Sequence, residues 1–406
     1  VQIWRVILPA ATAALMLAII PAEQVYLRFS WQLASLWLAA LVFCAWLTNG
    51  WRRLFFLLAL LAVVRHGPVL TAYIQLLMIA VFLAAAEGFK RMPPAHIFNA
   101  LAAGAGLLCA WIFAQRLGWV STFDLGRAGA GPFNINAAAV YLALCLPALF
   151  RNRWWRFSVF QINARWLLPV VIAGLVLCRS TTGFCAALAS AGVYAITGSI
   201  DRRLIPAAAG AAALVVVFFI WFDPIAAVFT DVRWQAWALI ARTSWQVPWG
   251  QGLGSFYDIF GRIAADPDLG GVWRQAHNEY LQAAWEMGLA AGALLAVYPL
   301  RVLIAAWRRR KSITATQRLA AAGIAAVAVS CLGWHTMHIA PLALAAMAWI
   351  GLAENCDLAD LWLTRGLRCR IWGAINAARP GDADRKLAEM DGAERGEYTA
   401  RNTVLQ

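Results

Sequence analysis

Apolar stretches of membrane length recur along the chain, separated by short polar hinges. About 20 consecutive apolar residues span the hydrocarbon core of a bilayer as a helix. Hydrophobic residues make up 62% of the 406 positions and charged residues only 13%, too few to solvate the surface of a soluble protein this long. A membrane β-barrel would show ten-residue strands of alternating polarity, and the sequence has none. The pattern predicts an all-α polytopic membrane protein with about twelve transmembrane helices. They are expected near residues 3–20, 31–48, 54–65, 68–87, 96–117, 134–150, 165–179, 181–199, 204–222, 279–300, 318–335 and 338–354. The first run lacks a small-residue cleavage motif and reads as a retained helix.

The net charge of +14 does not point to nucleic acid, because the basic residues fall in short loops. Arg52-Arg53, Lys90-Arg91, Arg151/Arg153/Arg156, Arg202-Arg203 and Arg308-Arg309-Arg310-Lys311 punctuate the apolar runs. By the positive-inside rule these loops are cytoplasmic, which puts both termini there too. The eight cysteines form no CxxC pair. Those in apolar runs (Cys44, Cys109, Cys145, Cys178, Cys185 and Cys331) are expected to be buried thiols rather than disulfides or zinc ligands.

Residues 1–355 therefore read as one transmembrane domain, and 356–406 as a polar, partly disordered cytoplasmic tail. Its Arg365/Arg368/Arg370 cluster would lie against anionic lipid. The outward side carries Gly118–Phe133, the Arg179–Gly183 tip, the His335–His338 turn and one long loop, about 222–278. Within that loop Trp234, Trp237, Ala241 and Trp245 repeat at helical spacing, which suits an interfacial amphipathic helix. Pro248 and the glycines of Gly250-Gln251-Gly252-Leu253-Gly254 end it and read as turn residues, since no Lys-Ser/Thr follows as in a phosphate loop.

The loop ends in His277-Asn278-Glu279-Tyr280, just before another apolar run. An imidazole there is mostly neutral at working pH and can take a proton from a hydroxyl, whereas the plain alternative is an interfacial or helix-capping histidine. Asn278 and Glu279 suit a helix start, where side-chain acceptors meet free N–H groups. Glu286 lies two turns deeper and reads as a packing brace. His335 and His338 have the spacing to share a metal, but no carboxylate or cysteine lies near them in sequence.

The segment HNEYLQAAWEMGL, preceded by Arg233-Trp234-Gln235-Ala236-Trp237 and by Pro248-Trp249-Gly250-Gln251-Gly252-Leu253-Gly254-Ser255-Phe256, resembles the O-antigen ligase and O-antigen polymerase superfamily. Gly131-Pro132-Phe133-Asn134-Ile135-Asn136-Ala137 adds to the likeness, which covers roughly residues 120–300. The resemblance implies a lipid-donor glycosyltransferase (GT-C type) fold in the bacterial inner membrane, with its active site facing the periplasm. It implies transfer of a glycan from an undecaprenyl-pyrophosphate carrier to an acceptor hydroxyl, with inversion and with neither metal nor cofactor. His277 matches the family's base and Arg233 one of its pyrophosphate-binding arginines. The second arginine departs from the family pattern: aligning on the small residues puts Thr181 where arginine is expected, with Arg179 two positions earlier. A snorkelling stem would let Arg179 reach the site. Asn278, Glu279, Tyr280 and Asn136 are the expected supporting residues.

The chemistry agrees with that implication. A pyrophosphate leaves well only when its developing charge is neutralised, which guanidinium forks do bidentately. A hydroxyl nucleophile needs a positioned base. Ligation onto lipid A–core is the leading expectation, with polysaccharide polymerisation or transfer to a protein hydroxyl as alternatives sharing the donor chemistry. A lipid-linked glycan transporter is the rival from another class, although the chain shows no internal repeat of the transporter kind.

Overall fold

The structure, a computed structural model, describes residues 50–66, 70–120, 134–150, 154–157, 160–163, 167–198, 233–260 and 275–356, with a few single positions in 42–47 and residue 358. By contacts the chain divides into two units, Val1–Leu358 and Ala359–Gln406. The second unit lies outside the described residues, as do the expected spans at 3–20 and 204–222 and most of 31–48.

Helices carry the described fold. They are α1 (Gly50–His66), α2 (Leu70–Arg91), α3 (Pro94–Arg116), α4 (Ile135–Leu149), α5 (Leu167–Cys178), α6 (Thr181–Ile196), α7 (Arg233–Gln246), α8 (Glu279–Met287), α9 (Leu289–Arg308), α10 (Ala315–Gly333) and α11 (Ala340–Asn355). One antiparallel hairpin, β1 (Trp154–Phe157) with β2 (Phe160–Asn163), pairs Trp154 with Asn163 and Phe157 with Phe160. Four described helices (α2, α3, α9 and α10) are long and apolar enough to cross a membrane, and α4, α5 and α6 are shorter apolar helices.

Small residues let these helices approach closely, as membrane packing favours. Gly183 of α6 lies against Ala139 of α4, and Gly323 of α10 lies under the Trp349 ring of α11. The Trp349 indole also donates to the Leu144 carbonyl of α4 at 2.7 Å. Of the cysteines expected to be buried, Cys109, Cys145, Cys178 and Cys331 are, whereas Cys185 on α6 is exposed.

The bundle has two distinct polar ends. At one, Arg52, Glu87, Lys90 and Glu354 meet, and Gln317 donates to the Cys356 carbonyl. At the other, Arg116 donates to the Leu177 carbonyl and Thr182 to the Gly333 carbonyl. The 16 residues of α11 separate the two ends, about 24 Å at a rise of 1.5 Å per residue. The candidate residues lie at the second end.

The run expected as one helix over 279–300 is two, broken at Gly288 with φ +93°. A break exposes backbone groups that must find partners elsewhere, above all in an apolar setting. The glycine-rich loop supplies them. Gln251 N–H donates to the Trp285 carbonyl, Gly252 N–H to the Glu286 carbonyl, and Leu289 N–H to the Pro248 carbonyl. A Cβ at Gly288 would stand 2.7 Å from the Pro248 oxygen. Gly288→Ala is therefore expected to cost about 2 kcal/mol, from a glycine-only backbone region together with the clash. A drop in the thermal unfolding temperature of the purified protein measures it, and an unchanged temperature would mean that the junction is not strained.

Candidate functional site

His277 is fixed from both sides. On the α7 side, the Trp237 indole donates to the Ala276 carbonyl at 2.7 Å. On the α8 side, Gln282 Oε1 accepts from Ala276 N–H at 3.1 Å. Asn278 then caps α8, its Oδ1 accepting from the N–H groups of Tyr280 and Leu281, each at 3.1 Å. Between these anchors His277 adopts a left-handed backbone, φ +51°. The only other non-glycine residue with positive φ among the described residues is Arg179, φ +50°. Such conformations cost about 1–3 kcal/mol and persist where surrounding structure dictates them, often at functional sites. Arg179 is exposed at the α5–α6 junction, directly before Ser180, which caps α6.

Elements distant in sequence converge on the end of α10. The Gly333 carbonyl accepts from Thr182 Oγ1 at 3.4 Å and from Arg233 Nη1 at 3.5 Å. Two residues on, His335 Nδ1 lies 3.2 Å from His277 Nδ1. The Trp334 ring stacks on His335 at 4.3 Å and lies 5.1 Å from the His277 ring. Arg233, His277, His335 and the Arg179–Thr182 tip thus share one neighbourhood. Here α6, α7 and α8 all begin, and helix starts carry the positive end of the helix dipole. Burial first, then His277, His338 and Arg233, push His335 down to about 3, so its ring is neutral near pH 7.

A second set of contacts ties the turn after His335 to α8. Glu279 Oε1 accepts from the Met337 N–H and lies 3.2 Å from His338 Nδ1. Burial disfavours a charge on His338, but Glu279 more than offsets it and raises the ring to about 9. Gln282 Nε2 stands 3.1 Å from His338 Nε2. Behind Glu279 and His338 lies a cavity of about 110 Å³, apolar except for Glu279, Gln282, Glu286, His338 and Gln75.

The supporting residues read from sequence divide by role. The described contacts of Asn278 cap the helix, and those of Glu279 go to the 337–338 turn rather than to the imidazole. Tyr280 donates from its hydroxyl to the Ala328 carbonyl at 2.9 Å, pinning α8 to α10. Asn136 is half-buried in the first turn of α4. A polar partner of the His277 ring is His335, which local sequence does not reveal, because the two residues are 58 positions apart. Nor do His335 and His338 face a common point: one faces His277 and the other Glu279. Among the described residues no group of three or more His, Cys, Asp or Glu is placed to hold a metal ion.

The indole stripe expected on α7 is split. Ala236, Ile240 and Ser244 form its buried face. Trp234 (50% exposed) and Trp245 (77%) face outward, while Trp237 turns toward Ala276. Arg242 is exposed on the same helix, and Arg262 and Arg274 lie outside the described residues. No protein-family model matches the chain, and no curated protein matches it.

Proposed function

We propose that the chain is a metal-independent, inverting glycosyltransferase of the bacterial inner membrane. In this reading it transfers a glycan from an undecaprenyl-pyrophosphate carrier to an acceptor hydroxyl, as an O-antigen ligase acting on lipid A–core. One observation carries the reading: a strained histidine and an arginine, 44 positions apart in sequence, are both held at the C-terminal end of α10, His277 beside His335 and Arg233 on the Gly333 carbonyl. His277 takes the proton of the acceptor hydroxyl, and the oxygen attacks the anomeric carbon of the donor. The bond to pyrophosphate breaks, and Arg233 with Arg179 receives the departing charge. The basic pairs expected in loops stand instead in helix-end turns, Arg52-Arg53 in the first turn of α1 and Lys90-Arg91 in the last turn of α2. They lie at the opposite end of the bundle, which supports a site on the periplasmic side. The apolar helices around the site suit a donor and an acceptor that both reside in lipid.

The test is to incubate purified protein with a lipid-pyrophosphate glycan and a panel of acceptors: lipid A–core, a second donor molecule and a serine-bearing protein. Glycosylated lipid A–core with release of polyprenyl pyrophosphate, persisting in excess chelator, is the expected outcome. Elongated donor would reassign the activity to polymerisation, and glycosylated protein to protein modification. Movement of intact donor across a vesicle without pyrophosphate release would identify a transporter and overturn the reading.

A further inference from the structure

We propose that His335 is the positioning partner of His277, accepting the hydrogen bond from the proton that His277 carries on Nδ1 and so placing the basic lone pair of His277 on Nε2. The inference rests on the reading of His277 as the base. Two imidazole nitrogens 3.2 Å apart form a hydrogen bond only if one carries a proton and the other a lone pair. The contact therefore admits two assignments. If His335 were the donor, the His277 lone pair at Nδ1 would be occupied and Nε2 would bear hydrogen, leaving no basic nitrogen toward substrate. If His277 is the donor, Nε2 carries the lone pair. His277 can then take the acceptor proton, while the acceptor oxygen bonds to the anomeric carbon and the electron pair of the broken bond leaves with pyrophosphate. His277 becomes an imidazolium that donates from both nitrogens, and His335 Nδ1 accepts before and after the step. Only this assignment keeps the contact intact through proton transfer.

Geometry holds His335 for this task. Its ring is stacked on Trp334 and meets the His277 ring edge-on, with centroids 4.9 Å apart. The turn it starts is fastened to α8 by Glu279, two residues beyond His277, through Met337 N–H and His338. Glu279 thereby ties the turn that carries His335 to the start of α8. The charged and titratable groups acting on His335 are His277, His338 on its own turn and Arg233 on α7, all of which oppose a second proton there. A neutral partner differs from the carboxylate that usually orients a catalytic histidine, because it fixes the tautomer without placing a negative charge beside the imidazolium.

The experiment compares wild type with His335→Ala, His335→Asp and His277→Ala in the transfer assay, recording kcat/KM against pH. His335→Ala should lower kcat on the order of 10–100-fold with little change in donor KM. His335→Asp should restore activity and shift the acidic limb of the profile upward by about 1–3 units, since a carboxylate now faces the imidazolium. A His335→Asp profile that superimposes on wild type, or full kcat in His335→Ala, overturns the proposal. Histidine ¹⁵N spectra of wild type provide a check that needs no variant to fold: His277 protonated on Nδ1 supports the partnership, and His277 protonated on Nε2 overturns it. Full activity in His277→Ala would remove the base reading itself. An inactive His277→Ala alongside unaffected His335 variants would remove only the partnership.

Discussion

Replacing His277 by glycine is expected to lower transfer by about 10²–10⁴-fold, the contribution usual for a positioned base, while yielding a protein more stable than His277→Ala. The two variants remove the same imidazole and the same contact to His335. They differ in the backbone. At φ +51° an alanine keeps the left-handed strain, about 1–2 kcal/mol per residue, and glycine relieves it at some entropic cost in the unfolded chain. The net expectation is a glycine variant about 1 kcal/mol more stable than the alanine variant, read as a higher thermal unfolding temperature in detergent. Donor-glycan release measured on the same samples gives the catalytic loss. Near-wild-type release by the glycine variant would end the role of His277 as the base. Equal stability of the two variants would show that surrounding contacts do not hold the residue in strain.

What was legible in the sequence follows from how local each feature is. The polar HNEY run stands out because a membrane-spanning helix excludes such residues, so it must mark a boundary. Asn278 as a cap also follows from a local rule, since its side chain reaches N–H groups only two and three residues ahead. Arg233 stood out only through its match to the family pattern, not through a local rule. The partner of His277 did not stand out, because the packing of α8 beside the end of α10 brings His335 to it across 58 residues. Glu279 was visible as a helix-start acid, but its partners at 337 and 338 depend on that same packing. The helix break at Gly288 was hidden for a related reason. A lone glycine in an apolar run is normally tolerated within a helix, and here the break is stabilised by backbone groups of a loop some forty residues upstream. Trp237 read as one of an interfacial indole stripe, since periodicity gives the face of a helix but not the Ala276 carbonyl beside it.

The largest stability effect is expected at the other end of the bundle, from Arg52→Ala. The Arg52 side chain is wholly buried and joins three helices. Its Nε and Nη2 engage both oxygens of Glu354 on α11, at 3.2 and 2.6 Å, and Nη1 donates to Glu87 on α2 at 2.8 Å. Trp51 adds a further donor to Glu354 at 3.0 Å. Removing the guanidinium leaves two carboxylates in an apolar setting, with Arg91 still on Glu87 at 2.9 Å and Lys90 only distantly on Glu354 at 3.8 Å. Breaking one side of a buried ion pair usually costs about 3–5 kcal/mol, because the remaining charge is uncompensated. The expected result is a large fall in thermal unfolding temperature and in yield. Arg52→Met combined with Glu354→Met should recover much of the loss, since apolar replacement of both partners removes the stranded charge on α11 while Arg91 continues to serve Glu87. Transfer per folded molecule should stay near wild type in that double variant, because the cluster lies a full helix length from the histidine pair. If Arg52→Ala unfolds at the wild-type temperature, these three helices are held together by small-residue packing alone and the buried charges contribute nothing to the scaffold that positions the site.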